Sequence, residues 1–255
     1  MYKIPANTVF MGKNLVFMPE CHSTNDLALQ LCQQQKASEG TVIITANQTA
    51  GRGQRGNTWH VEPGKNLTFS IILKPTFLSI QDQFYLNIIT ALAIHDYLVE
   101  KTDATIRIKW PNDMMVSTKK IAGILIENQI QGNSFSSSVV GIGLNMNQEA
   151  FNISTATSLY QLSNRVYDLN FELEHILHKL EVRYLQLKSG KENTLFADYL
   201  NVMYWRHELH TFVANDQSFE GTIVGLDDLG RLKINTQQGE RIFGMKEIQY
   251  QLTAH

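Results

Sequence analysis

The sequence predicts an α+β protein in two parts, a larger one that mixes strands with helices and a last fifty residues made of short strands. Two observations define the larger part: β-branched or alternating stretches such as 41–46 and 105–110, and helical periodicities that set in near Ser79 and Phe171. The third observation is the glycine spacing after Glu208, where Gly221, Gly225, Gly230 and Gly239 punctuate short apolar segments in the manner of a small β-barrel.

At 255 residues with 43% apolar side chains, the chain can fill a sizeable core. Lys plus Arg (22) nearly balances Asp plus Glu (24), so no global basic field draws it onto nucleic acid or an anionic membrane. Binding must therefore be local. The two cysteines, Cys21 and Cys32, form no disulfide framework, and neither a leader pattern nor a membrane-length apolar run is present; the compartment expected is the cytoplasm. Cys21 beside His22 lacks the spacing of a zinc site.

Taken in order, residues 14–18 read as a strand, and Ser23 or Thr24 caps a helix through Leu27, Leu31 and Cys32, with Asp26 placed to return the capping bond. Residues 41–46 form a buried strand that empties into a glycine-rich loop over 48–58, and 66–74 form the next strand. A long helix follows from Ser79, its expected cap, with Phe84, Ile88 and Leu92 near a 3.6 period. In 105–110 the alternation sets Ile106, Ile108 and Trp110 against Arg107 and Lys109, one face apolar and one cationic. Pro111-Asn112-Asp113 breaks that strand, 114–116 resume it, and Lys120 opens another through Ile130, so the whole reads as a hairpin. Residues 138–146 add a strand with Gly141 and Gly143 on one face, where a flat ligand could lie on bare backbone. The 171–199 stretch is helical, and a helix around 193–203 joins the two parts.

The chemistry concentrates in Gly51-Arg52-Gly53-Gln54-Arg55-Gly56. Glycines spaced by two let backbone approach a ligand closely, while the interleaved arginines offer forked donors to carboxylate or phosphate. The plain alternative is a solvated turn; an RNA-binding segment would need repeated copies, and Trp59 offers one stacking surface instead. Lys120 by itself reads as a solvated hairpin residue. Following Asn112-Asp113 across a hairpin, with Gly123 three positions on and on the opposite strand face, it can serve as a point charge for developing phosphate charge, with Asp113 holding it or a magnesium ion. Asn112-Asp113 as a simple turn and Gly141/Gly143 as packing features stay open at this point. No histidine spacing or serine elbow signals covalent catalysis.

Six motifs in one order, Ser23-Thr24-Asn25, Gln48 with Gly51-Arg52-Gly53, Trp59, Lys109-Trp110-Pro111-Asn112-Asp113, Lys120-x-Ala122-Gly123-Ile124-Leu125-x-Glu127 and Gly141-x-Gly143-x-Asn145, resemble the biotin protein ligases. The resemblance implies a mixed β-sheet with packed helices, related to class II aminoacyl-tRNA synthetase catalytic domains, over 1–205, and a small C-terminal β-barrel over 206–255. It implies ATP and biotin as substrates, Mg2+, a biotinyl-adenylate, and transfer to one lysine of a biotin carboxyl carrier protein. By that likeness Lys120, Arg52 and Asp113 are catalytic. Ser23, Thr24, Asn25, Gln48, Gly51, Arg52, Gly53, Gln54, Lys120, Gly123, Gly141 and Gly143 bind biotin, with hydroxyls and amides at the ureido end and Arg52 and Lys120 at the carboxylate. Arg55, Trp59, Asn112 and Asn145 serve ATP, and Asp113 is the candidate metal ligand.

Gln54 stands where the family commonly has a second arginine, which predicts a weaker hold on the adenylate. Only about twenty residues precede Ser23, too few for a DNA-binding helix-turn-helix module, so a ligase and not a transcription factor is expected. The rival readings are a lipoate-protein ligase of the same fold and a non-catalytic adaptor; neither the acceptor subunit nor dimerisation is legible.

Overall fold

In the computed structural model, which describes residues 2–251 apart from the side chain of Arg55, β1 (Leu15–Cys21) runs parallel to β2 (Val42–Gln48). Parallel neighbours need a crossover, and α1 (Thr24–Gln33) supplies it. Ser23 caps α1 from an extended backbone, its hydroxyl accepting from Asp26 N–H. The expected return bond from Asp26 gives way to an ion pair, since its carboxylate lies 2.6 Å from Arg52.

β3 (Leu67–Leu73) is buried along its whole length. The helical pattern that begins at Ser79 resolves later than expected. Ser79 Oγ donates to Asp82 at 2.7 Å and accepts from its N–H at 3.3 Å, closing a turn, and α2 proper spans Phe84–Val99. Next comes an antiparallel run of β4 (Ile106–Lys109), β5 (Asp113–Val116), β6 (Lys119–Gln131) and β7 (Ser134–Leu144). The seven strands form one mixed sheet in the order β1-β2-β3-β7-β6-β5-β4.

After β7 come α3 (Leu159–Ser163), α4 (Leu169–Lys188) and α5 (Glu192–Asn201); α5 is the joining helix expected around 193–203, parted from α4 at Ser189 to Lys191 with Gly190 at φ +78°. The apolar sides of α2 and α4 close the main core on one face of the sheet, where Leu92, Ile108, Ile124, Ile142 and Leu177 are fully buried. On the other face α1 seals a smaller cluster of Ala28, Ile43, Ile72 and Val139. That second face is left open beyond the start of α1. Arg183 of α4 ties the helical layer together, gripping Asp96 of α2 with two bonds of 2.8 and 3.1 Å and Asp198 of α5 with one of 2.8 Å.

The last strands, β8 (Leu209–Ala214), β9 (Gln217–Leu226), β10 (Leu232–Thr236), β11 (Gly239–Phe243) and β12 (Gln249–Tyr250), make a separate antiparallel sheet in the order β11-β10-β9-β8-β12. Trp205, Phe212, Phe219 and Tyr250 pack as an aromatic cluster within it. Its β9–β10 turn docks on the corner between β4 and β5, where the Trp110 indole N–H donates to Gly230 C=O at 2.9 Å. Burying an aromatic that also needs a polar partner fixes the two parts in register.

Candidate active site

Antiparallel pairing places directly opposite residues side by side on one sheet face. Across β2, β3, β7 and β6 this makes two rows on the face that α1 only partly covers: Thr45, Thr68, Gly143 and Gly123, then Ile43, Ser70, Gly141 and Leu125. The start of α1 sits over the second row. Ser70 Oγ donates to Asn25 Oδ1 at 2.6 Å and lies 2.7 Å from Thr24 Oγ1, while Thr24 N–H donates to Gln48 Oε1 at 2.8 Å. Asn25 Nδ2 donates to Glu127 at 2.7 Å. Thr24, Asn25 and Ser70 are almost wholly internal, so the Asn25 amide orientation is fixed by its partners.

The glycine loop is a narrow finger. Trp59 N–H donates to Gly51 C=O at 2.9 Å, Gly53 N–H to Asn57 C=O at 2.7 Å, and Gln54 to Gly56 form a 3-10 turn at the tip. Glycine is required at 51 because a Cβ there would strike the Trp59 carbonyl. The finger returns Trp59 onto the first row. A Cβ at Gly143 would collide with the Trp59 indole, and one at Gly141 with the Asn25 amide. Gly141 and Gly143 were expected to leave the strand bare for a ligand tail; they are bare for the chain's own side chains, and the ligand space lies beside them. Gly51 itself sits at the base of the loop and does not line the hollow.

Lys120 reaches the same place through an irregularity that its spacing does not reveal. Met114 pairs with Ala122 but Met115 with Lys120, so β6 carries one extra residue, Ile121, as a bulge. The expectation that Gly123 lies on the face opposite Lys120 is thereby corrected: a Cβ at Gly123 would stand 2.9 Å from Lys120 Nζ. Lys120 Nζ pairs with Asp113 at 2.7 Å and lies 5.3 Å from the Trp59 ring centroid. Its backbone is held from behind, N–H to Thr155 C=O at 2.8 Å and C=O from Thr157 N–H at 2.9 Å.

A hollow opens between the start of α1, the loop and the first row. Ser23, Thr24, Asn25, Gln48, Arg52, Gly53, Gln54, Trp59, Asn112, Lys120, Gly123, Gly141 and Gly143 all line it, together with Thr68, Ile124, Leu125 and Ile142. A second, larger hollow adjoins it, sharing Gly53, Gln54, Trp59, Asn112 and Lys120, and bounded further by Lys109, Asp113 and, from the C-terminal part, Met245, Ile248, Gln249 and Tyr250. Asn112 is the partition, donating its amide to Ile124 C=O while exposing an edge to both. Asn145 lines neither. Buried behind the strand end, it donates to Thr157 C=O at 2.9 Å and so supports the segment that holds Lys120. The Arg55 side chain lies outside the described residues.

The charges differ from a bare cationic cradle. Arg52 Nη2 sits 2.6 Å from Asp26 and 2.7 Å from Glu127, and Lys120 sits on Asp113, so both cations of the hollow are already paired. Sequence reasoning missed Ser70, Thr68, Asp26 and Glu127 as site residues. Glu127 closes the Lys120 motif and Ser70 follows two residues after Thr68 in the strand, so both carried a signal; the C-terminal contributors carried none. Among the described residues no three His, Cys, Asp or Glu side chains gather as a metal cluster, and no helix is long and apolar enough to cross a membrane.

A mixed sheet that brings a glycine–arginine finger, a hydroxyl–amide cluster and a paired lysine around one hollow defines a ligand-binding site of the ligase type expected from the motifs. The Biotin/lipoate A/B protein ligase family model matches residues 17–145, and the chain belongs to that family. It is 31% identical to the bifunctional ligase/repressor BirA of Bacillus spizizenii, over 91% of this chain and 72% of that protein. Against the biotin--[acetyl-CoA-carboxylase] ligase of Mycobacterium tuberculosis it is 29% identical, over 86% of this chain and 82% of the other. The biotin protein ligase from Aquifex aeolicus, solved in complex with biotin and ATP, superposes with a TM-score of 0.79 at 26% identity, covering 94% of this chain and 100% of that one.

Proposed function

We propose that this chain is an ATP-dependent biotin protein ligase, which condenses biotin with ATP to biotinyl-adenylate and then passes the biotinyl group to a lysine of a biotin carboxyl carrier protein. The observation that carries the reading is the meeting of the polar α1 cluster and Lys120 in the lining of one hollow, with a second, larger hollow sharing Lys120 and Trp59. Biotin has a ureido head, an apolar ring system and a carboxylate tail. The head suits Ser23, Thr24, Asn25 and Gln48; the tail then points to Lys120. ATP takes the second hollow, which shares Lys120 and Trp59 with the first and is lined by Lys109, Asn112 and Asp113.

In the first step a biotin carboxylate oxygen bonds to the α-phosphorus, the bond from that phosphorus to the bridging oxygen breaks, and pyrophosphate leaves. Two anions must approach each other, and the ammonium of Lys120 is placed to offset their repulsion, a role whose removal costs about 3 kcal/mol of transition-state stabilisation in comparable sites. Asp113 orients that ammonium. Arg52, bound to Asp26 and Glu127, ties the loop to α1 and β6 at the edge of the hollow. In the second step the acceptor amine attacks the acyl carbon, an amide forms, AMP leaves with the anhydride oxygen, and the amine loses a proton. Gln54, at the finger tip between the hollows, stands beside the intermediate.

Magnesium is held in such reactions by one or two carboxylates plus substrate phosphates, and supplies charge neutralisation of the triphosphate. Among the described residues Asp113 is the one carboxylate lining the second hollow, which fits an ion arriving with ATP. The reading divides the chain at 205/206, with the C-terminal sheet closing the nucleotide side, and goes with a cytoplasmic location. Isothermal titration with biotin and with lipoate, each with and without ATP, tests it: heat with biotin alone and tighter binding with ATP support it, lipoate binding points to the sister activity, and no heat with either leaves only an adaptor.

A further inference from the structure

We propose that the Thr68 hydroxyl is a ligand-contacting group that donates a hydrogen bond to the ring sulfur of biotin, and so determines specificity for the thioether ring. The inference rests on the function argued above. Thr68 lies in the first row of the sheet face, between Thr45 and Gly143, and lines the hollow while being only 5% exposed. Its Oγ1 has no hydrogen-bond partner among the described residues. Its neighbours on the same face are satisfied: Thr45 Oγ1 donates to Asn47 C=O at 2.9 Å, and Ser70 Oγ bonds to Asn25. An interior hydroxyl left alone is unfavourable, and buried polar groups are rarely left so unless something else completes them.

A second buried donor in the same place is also alone. The Trp59 indole N–H, lying over Gly143 beside Thr68, has no partner either, and it can only donate. What completes this row must therefore bring an acceptor atom. Side chains two apart on a strand stand about 7 Å from each other, so Thr68 is displaced by that much from Ser70 and the cluster that takes the ureido head. Along biotin, the thiolane ring follows the ureido ring, and its sulfur is the acceptor that comes next; the carboxylate lies further on, at Lys120.

The test compares the wild-type chain with Thr68→Val and Thr68→Ser by titration with biotin and with dethiobiotin, which lacks the sulfur. Thr68→Val should weaken biotin binding roughly fivefold, the size of one modest hydrogen bond, and leave dethiobiotin binding unchanged, while Thr68→Ser keeps the wild-type ratio. Should Thr68→Val fail to fold, Thr68→Ala against Thr68→Ser reads the same difference. Unchanged biotin binding in the hydroxyl-free variant overturns the proposal, as does an equal loss for both ligands. Wild-type protein that binds neither ligand would overturn the functional reading itself, whereas binding without any effect at Thr68 removes this inference alone.

Discussion

Arg52 meets Glu127 at 2.7 Å, and the same Glu127 oxygen accepts from Asn25 at 2.7 Å, so one carboxylate joins the loop to the floor of the hollow. The Arg52 side chain is 41% exposed, and pairs this open contribute only about 0–1 kcal/mol to stability. Arg52→Ala should therefore melt close to wild type while losing adenylate formation, read by biotin-dependent ATP–pyrophosphate exchange. Glu127→Gln, which keeps the bond from Asn25 but releases Arg52, should raise the KM for biotin roughly tenfold with less change in kcat. Normal exchange in Arg52→Ala would remove the loop anchor from the mechanism.

Lys120→Ala should lower the rate of adenylate formation by about 10² or more, as expected for loss of a charge that acts on the transition state. Asp113→Asn, which only loosens the ammonium, should cost less. Single-turnover formation of the adenylate separates the two; equal losses would give Asp113 a direct part in the chemistry.

Gln54 cannot offer the charge-assisted, forked grip of an arginine to a mixed anhydride. The enzyme should consequently release some adenylate, and Gln54→Arg should reduce biotinylation of bystander lysines in a mixture with a non-substrate protein. Bystander labelling at the same level in both forms would show that retention is decided elsewhere.

The finger from Gly51 to Trp59 is held by few backbone bonds and by the exposed Arg52 pairs. Biotin should order it and slow proteolysis near Gln54. Digestion that proceeds at one rate with and without biotin would contradict this coupling.

Arg183 grips Asp96 and Asp198 from a largely buried position. Burial pushes the Asp96 carboxyl up, but the bonds from His95 and Arg183 outweigh it and hold the group below its ordinary value of 3.8. A depressed carboxyl adds stability above its unfolded pKa and loses it as pH falls through the folded one. Arg183→Met should cost roughly 2 kcal/mol at neutral pH, and the gap in melting temperature should narrow as the pH drops below about 4. A constant gap from pH 7 to pH 3 would rule out the ion pair as its source.

Much of the site was legible because its members are tied to local signals. Ser23-Thr24-Asn25 announces a helix entrance, and the Gly-Arg-Gly spacing announces a close backbone approach; thirteen of the expected residues line one hollow. The failures have separate causes. Alternation counts assume an unbroken strand, so the extra residue at Ile121 hid the fact that Lys120 and Gly123 share a face. The ATP role of Asn145 rests on likeness alone; the strand ends at Leu144, and the next residue turns inward to bond Thr157 C=O.

By itself the sequence determined the two-part α+β organisation, the loop, and the chemical types that gather around the ligand, because periodicity, caps and glycine spacing are written in neighbouring residues. Only the tertiary structure decided which charges meet. Asp26, Arg52, Asp113, Lys120 and Glu127 come from four separate segments, and the bonds among them depend on strand register and on one bulge, neither of which any short stretch of chain encodes.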